Sequence, residues 1–449
     1  MWPTRPTLPT RHSCRCCMKS PSTLPGQPYL HYQGGALYLE EVALATLARE
    51  HGTPLYVYSQ AAMLRALAAY QRGFAGRKVQ ICYALKANAS LAVLQLFARH
   101  GCGFDIVSGG ELQRVLAAGG NPAQVIFSGV GKTRTEMRQA LQAGIGCFNV
   151  ESEAELEVLS AVAESLDQRA PVSIRVNPDV DAHTHPYIST GLKDNKFGIA
   201  HERVLAVYRR AAALPGLRVV GIDCHIGSQI TEAAPYLDAL DKMLDLVQAI
   251  EAEGIPLAHL DFGGGWGIDY GDGNAPSTTA DALWKQLLAR LDARGYGDRQ
   301  LMIEPGRSLV GNAGVCLTEV LYLKDSGHKH FCIVDAAMND LPRPALYQAW
   351  HAIVPLDIAT PRTAQVLDVV GPVCESGDWL GQDRLLAVQA GDWLAVLSSG
   401  AYCSAMGSNY NTRPRPAEVL VDGAQAHVIR AREQVSDIFR AERLLLPSN

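Results

Sequence analysis

Between residues 79 and 310 the chain repeats one unit eight times: a short apolar β-rich run followed by a stretch with helical spacing. The runs are VQICYALK (79–86), GFDIVS (103–108), VIFSG (125–129), GCFNVES (146–152), VSIRVNP (172–178), VVGIDCHIG (219–227), HLDFGGG (259–265) and LMIEPGRSLV (301–310). Between them lie segments such as ESEAELEVLSAVAESL (151–166), with Leu, Val and Ala at 3.6-residue spacing. Strand and helix in alternation imply parallel strands joined by crossovers. Eight units in about 230 residues predict a (β/α)8 TIM-type barrel, with an open doubly wound sheet as the alternative. The ends of the runs favour the barrel. They finish in Lys86, Ser108, Ser128, Glu151, Asn177, His225, the glycines 263–265 and the stretch 304–307. Barrel enzymes carry their chemistry on that C-terminal rim.

After Val310 the texture changes to short strand-like runs (VCLTEVLYL, HFCIVDA, DWLAVLSS, AEVLVDG, AHVIR) separated by Gly and Pro turns. The expected class is therefore α/β, a barrel plus a C-terminal β-rich domain of sandwich or barrel type. The expected division is a disordered tail over 1–25, a segment 26–58 joining the β-domain, a barrel over 59–310 and the β-rich domain over 311–449. A short helix is expected near 437–444. The first 25 residues are rich in Pro, Thr, Ser and Arg and lack periodicity. They read as an extension, with Met18 an alternative start. Cys14, Cys16 and Cys17 have no second Cys or His pair close enough to complete a short zinc motif, so no metal is expected.

Composition excludes several classes. A formal net charge of -5 without a basic patch argues against nucleic acid as a partner. No apolar run reaches the length of a membrane span. The 11 cysteines are scattered, several within apolar runs (Cys82, Cys224, Cys332), which fits buried thiols in a reducing cytoplasm.

Each rim residue has a chemical and a bland reading. Lys86 in YALKAN is either a surface lysine or an amine whose pKa falls through desolvation or nearby cations, ready to form a Schiff base. His225 in HIGSQI is either a hydrogen-bonded structural residue or a group that stacks on a flat ring or acts as a base. Ser228 offers a hydroxyl for phosphate. Gly263, Gly264 and Gly265 either form a turn or let backbone amides approach an anion, helped by the terminus of a following helix. The run matches neither G-x-G-x-x-G nor a P-loop. Glu304, in Glu304-Pro305-Gly306-Arg307, either pairs with Arg307 or with a protonated ring nitrogen. Arg307 and Arg343 suit carboxylate or phosphate; Tyr347 and Tyr402 suit their oxygens. Cys374, beside Glu375 and Asp378, is either a thiol on an exposed turn or a proton donor.

YALKAN, HIGSQ, GGG, EPGR, CESGD and GAY, in this order from about residue 28 to residue 445, resemble the barrel-type, pyridoxal-phosphate-dependent amino-acid decarboxylases, which include eukaryotic ornithine decarboxylase. The resemblance implies pyridoxal 5'-phosphate as cofactor, linked to Lys86 and stacked on by His225. It implies Glu304 at the pyridine nitrogen, and Ser228, Gly264, Gly265, Pro305, Gly306, Arg307 and Tyr402 around the cofactor. Asp105 and Arg175 take supporting positions. Arg307, Arg343, Tyr347, Glu375 and Tyr402 face the substrate, and Cys374 is the proton donor. It also implies a homodimer whose active sites draw on both subunits.

Ornithine decarboxylases have Cys-Asp where this chain has Cys374-Glu375. The CESGD string resembles the branch acting on diaminopimelate, in which the glutamate binds the reacting ammonium and the product is L-lysine. The alternatives are another basic substrate (ornithine, arginine or carboxynorspermidine), an amino-acid racemase, or a catalytically dead regulator. Racemases of this architecture set an arginine at the ring nitrogen, which Glu304 opposes. Intact Lys86 and Cys374 oppose the dead regulator.

Overall fold

The computed structural model describes residues 24–180 and 196–445. The three N-terminal cysteines and most of the expected tail lie outside them. Leu24, within the span expected to be disordered, is buried in one apolar cluster with Leu30, Leu37 and Leu356.

The N-terminal segment forms a small antiparallel sheet, β1 (Leu30–Gln33), β2 (Ala36–Leu39) and β3 (Val42–Ala43). Strand β4 (Leu55–Ser59) follows and is buried along its whole length. Next come β5 (Val79–Ala84), β6 (Gly103–Ile106), β7 (Val125–Phe127), β8 (Cys147–Val150), β9 (Ala170–Asn177), a two-residue β10 (Ile199–Ala200), β11 (Leu217–Cys224), β12 (His259–Asp261) and β13 (Gln300–Ile303). All pair in parallel. β13 joins β5, and β8 joins β9, which closes the barrel. Strands such as β6 and β8 are buried at every residue because helices cover the outside of the barrel while its interior is filled.

The βα loops end in side chains that cap the next helix. Ser108 accepts from Glu111 N–H, Ser152 accepts from Glu155 N–H, and Thr133 forms a capping box with Glu136. These contacts satisfy orphan amides and fix where each helix starts on the rim.

The second domain contains β14 (Gly314–Asp325), β15 (His330–Val334), β16 (Ile353–Pro355), β17 (Gln365–Val370), β18 (Trp379–Leu386), β19 (Trp393–Val396), β20 (Ala417–Asp422) and β21 (Gln425–Arg430). Its sheet runs β18-β17-β15-β14-β4-β20-β21, with β19 between β14 and β16. β4 is thus an interior strand of the second domain, antiparallel to β14 and parallel to β20. Sequence reading missed β16, β17 and β18. The last helix spans only Val435–Ile438, ahead of the expected 437–444, and turns follow it.

Candidate active site

The C-terminal rim and the β-domain enclose a cleft of about 710 Å³, open to solvent and lined by Lys86, His225, Ser228, Gly265, Glu304, Gly306, Arg307, Arg343, Tyr347, Tyr402 and Met406. The chain reaches this point from strand ends and from two β-domain segments. Tyr402 is tied to the rim, its N–H donating to Ala87 O at 2.8 Å.

Lys86 sits on a one-turn 3-10 helix (Leu85–Ala87) after β5. Its Nζ donates to Asp105 Oδ2 at 2.7 Å. Burial works against the ammonium, but Asp105 and then Glu304 outweigh it, so the pKa lies above the ordinary lysine value. This corrects the expectation of a lowered pKa: the near groups are carboxylates, not cations.

Beneath the rim the barrel interior is polar. Asp223 and Asp261 face each other across β11 and β12, and each has an oxygen atom that finds no hydrogen-bond partner. With Glu304 they form a group whose carboxylate oxygens lie within 4.8 Å of one another. Burial raises all three pKa values; Asp261 adds to the rise at Asp223, Asp105 and Asp261 to that at Glu304, and Asp105 to that at Asp261, which reaches about 7 although hydrogen bonds from Gly263 and with Glu304 lower it. Glu304 Oε1 accepts from Asn149 Nδ2 at 3.2 Å. Arg175 pairs with Glu151 at 3.2 Å and approaches Asp223 at 4.0 Å, its guanidinium stacked on Phe197. Arg175 therefore supports the cleft from behind.

His225 Nδ1 accepts from Gly264 N–H at 3.2 Å. Burial first, then Arg175 and Lys86, hold its pKa well below the usual range, so the ring is neutral. Gly265 has φ +106, and a Cβ there would fall 2.3 Å from Gly227 O. No helix follows this run until Ala280–Ala293, so the anticipated helix terminus is absent at the glycines. Gly264 and Pro305 line a separate small cavity behind the cleft with Tyr236 and Trp284. Gly264 also has both backbone groups engaged, its carbonyl accepting from the Tyr236 hydroxyl.

Arg307 donates to Ser228 Oγ at 2.9 Å and to the Tyr270 hydroxyl. Its guanidinium lies 4.7 Å from the Tyr402 ring centre. These partners stand where the bland reading had put Glu304. Arg343 opens the helix Arg343–Tyr347 and donates to His351 Nε2 at 2.7 Å.

Cys374 and Glu375 do not line this cleft. Both are exposed, with Cys374 N–H on Asn411 Oδ1 and Glu375 accepting from the Tyr410 hydroxyl at 2.7 Å. A wider groove of about 1260 Å³ runs beside Lys86, between Glu111 and Arg114 of the barrel and Arg415 and Arg430 of the β-domain.

Sequence reasoning missed Tyr270, His351, Met406 and the acids Asp223 and Asp261. The acids left a signal, an aspartate inside an otherwise apolar strand run, which costs too much to bury without a role. The others left none.

Residues 60–311 match the family described as pyridoxal-dependent decarboxylase, pyridoxal binding domain. The chain belongs to that family, and its cofactor is pyridoxal phosphate. Among relatives, it is 56% identical over 420 residues to diaminopimelate decarboxylase of Vibrio cholerae, covering 93% of this chain and 99% of that protein. Its structure resembles diaminopimelate decarboxylase of Helicobacter pylori complexed with L-lysine, with TM-score 0.84, 42% identity and coverage of 89% and 99%. It also resembles that of M. jannaschii in complex with L-lysine, with TM-score 0.88, 36% identity and coverage of 94% and 99%.

The cleft fits the cofactor on its own evidence. It offers an amine at Lys86, a carboxyl at Glu304 on the same wall, and at Gly265 a surface that only glycine can form.

Proposed function

We propose that the protein decarboxylates meso-2,6-diaminopimelate at its D-centre, releasing CO2 and L-lysine. The observation that carries this reading is a pair of buried guanidiniums, Arg307 and Arg343, in the cleft that holds Lys86. Ornithine and lysine have one carboxylate, which is the group lost. Diaminopimelate keeps a second at its far end, and two cations suit it. The relatives named diaminopimelate decarboxylase support the same substrate.

Bound pyridoxal phosphate supplies the electron sink that accepts the bonding pair as CO2 leaves. Lys86 offers the amine that anchors it, and Asp105 holds that amine in position. Glu304, which lines the same cleft, would hold the proton on the ring nitrogen. Ser228, Gly265, Gly306 and Arg307 would hold the phosphate, with Tyr402 beside them in the lining of the cleft. Neutral His225 presents its ring face without adding charge. Arg343 and Tyr347, with Arg307, orient the distal amino-acid end.

Cys374 and Glu375 act from a second copy of the chain. Their exposure and their absence from the Lys86 cleft favour this, as does the broad groove beside Lys86. Glu375 then binds the reacting ammonium, and Cys374 Sγ returns a proton to the carbon that lost CO2.

The test is CO2 release from meso-diaminopimelate, L-ornithine and L-lysine, with and without added cofactor. Turnover of meso-diaminopimelate should dominate. Faster turnover of ornithine overturns the substrate assignment.

A further inference from the structure

We propose that Tyr270 and His351 are positioning residues that set the spacing and donor directions of the two guanidiniums gripping the substrate's distal carboxylate. The inference rests on the reading above that Arg307 and Arg343 face that end of the substrate.

Tyr270 stands between the arginines. Its hydroxyl accepts from Arg307 Nη1, and the Arg343 guanidinium lies over its ring, 4.5 Å from the centre. His351 meets the same ring edge-on, with centroids 5.2 Å apart at 80°. His351 Nδ1 lies 2.8 Å from Leu397 O. A carbonyl only accepts, so Nδ1 carries the proton. Nε2 is then the acceptor for Arg343 Nη1 at 2.7 Å. One tautomer satisfies both bonds.

The pair is rigid because its surroundings are. Tyr270 is 4% and His351 0% exposed. The backbone just before Tyr270 is held at Asp269 O by Asn312 Nδ2 at 2.7 Å and Ser398 Oγ at 3.2 Å, which ties the barrel loop to the β-domain. Burial, and then Arg343, hold His351 neutral, so its acceptor persists. Two guanidiniums aimed at one carboxylate repel each other. The electron-rich ring face, the phenol oxygen and the imidazole lone pair each offset part of that repulsion. Both arginines line the cleft.

Three substitutions separate this role from general packing. His351→Asn retains a donor toward Leu397 O and removes the acceptor for Arg343. His351→Gln retains an acceptor near the Nε2 position. Tyr270→Phe removes only the hydroxyl. In holoenzyme, His351→Asn and Tyr270→Phe should each raise KM for meso-diaminopimelate about tenfold with kcat within about twofold. The inhibition constant of L-lysine, which keeps the distal carboxylate, should rise in parallel. That of cadaverine, which has no carboxylate, should not move. His351→Gln should recover most of the loss. Equal shifts for lysine and cadaverine, an unchanged KM, or His351→Gln as impaired as His351→Asn would overturn the proposal. Absence of CO2 from meso-diaminopimelate in wild type would instead defeat the substrate reading, while lysine and cadaverine binding would still report on the arginines.

Discussion

Lys86 and the acids below it show how a few side chains set the character of the cleft. Burial is the largest single effect on Lys86 and opposes its charge, yet Asp105 and Glu304 together outweigh it and keep the amine a cation. Lys86→Ala should abolish turnover and the visible absorbance of lysine-bound cofactor; borohydride treatment of wild type should leave the cofactor fixed at Lys86. Label on another lysine would refute the assignment. Asp261 gives a prediction with a sign. Its folded-state pKa of about 7 lies above the ordinary 3.8. The unfolded chain therefore releases this proton first as pH rises. The stability contributed by the protonated acid is complete below about pH 4 and is lost as pH rises toward about 7. Asp261→Asn should thus gain in Tm over wild-type apoprotein progressively across that window. A constant difference would show that burial does not raise the Asp261 pKa in the folded chain. Both acids lie in strand runs visible in the sequence, yet only the register of β11 against β12 puts them side by side.

At the scale of elements, the loops between strand and helix carry the site, and small residues decide their shape. Gly265 follows β12 with a positive φ and lines the cleft, and a Cβ on it would lie 2.3 Å from Gly227 O. Any side chain there meets backbone, which cannot swing aside. Gly265→Ala should weaken cofactor binding at least tenfold, read by spectroscopic titration, and lower Tm as well. By contrast, Ser152→Ala removes only a helix cap on a neighbouring loop. It should cost about 1 kcal/mol in denaturant unfolding and leave cofactor affinity unchanged. The pair separates local helix stability from the shape of the cradle. The glycine run was legible as a loop after the seventh strand. That no helix terminus backs it was not, because the segment from Trp266 to the helix Ala280–Ala293 shows only in three dimensions.

The whole molecule is woven so that neither part is a simple stretch of chain. β4, from residues 55–59, is an interior strand of a sheet otherwise built from residues 314–430, so the chain enters the barrel only after completing the second domain's centre. The cleft draws Arg343, Tyr347, Tyr402 and Met406 from that domain but leaves Cys374 and Glu375 outside. A site shared across a twofold dimer predicts complementation. When Lys86→Ala and Cys374→Ala subunits are mixed and allowed to exchange, random pairing gives about half heterodimers, each with one intact site, and activity should recover to roughly a quarter of wild type. With exchange demonstrated independently, no recovery means that both residues act within one subunit.

The eightfold alternation and the strand ends were sufficient to predict the barrel and to put Lys86, His225, Glu304 and Arg307 on its rim, because period and order are local properties of a chain; the cofactor followed from the resemblance that the ordered motifs carry. The β-domain was legible only as a texture: its short strands β16, β17 and β18 are fixed by partners far along the sequence and lack a period long enough to read. Tertiary structure alone decided that Asp105 holds Lys86 charged, that Asp223, Asp261 and Glu304 crowd one another, and that Tyr270 and His351 meet behind two arginines. Such relations arise from strand register and domain docking, and nothing in the spacing of those residues encodes them.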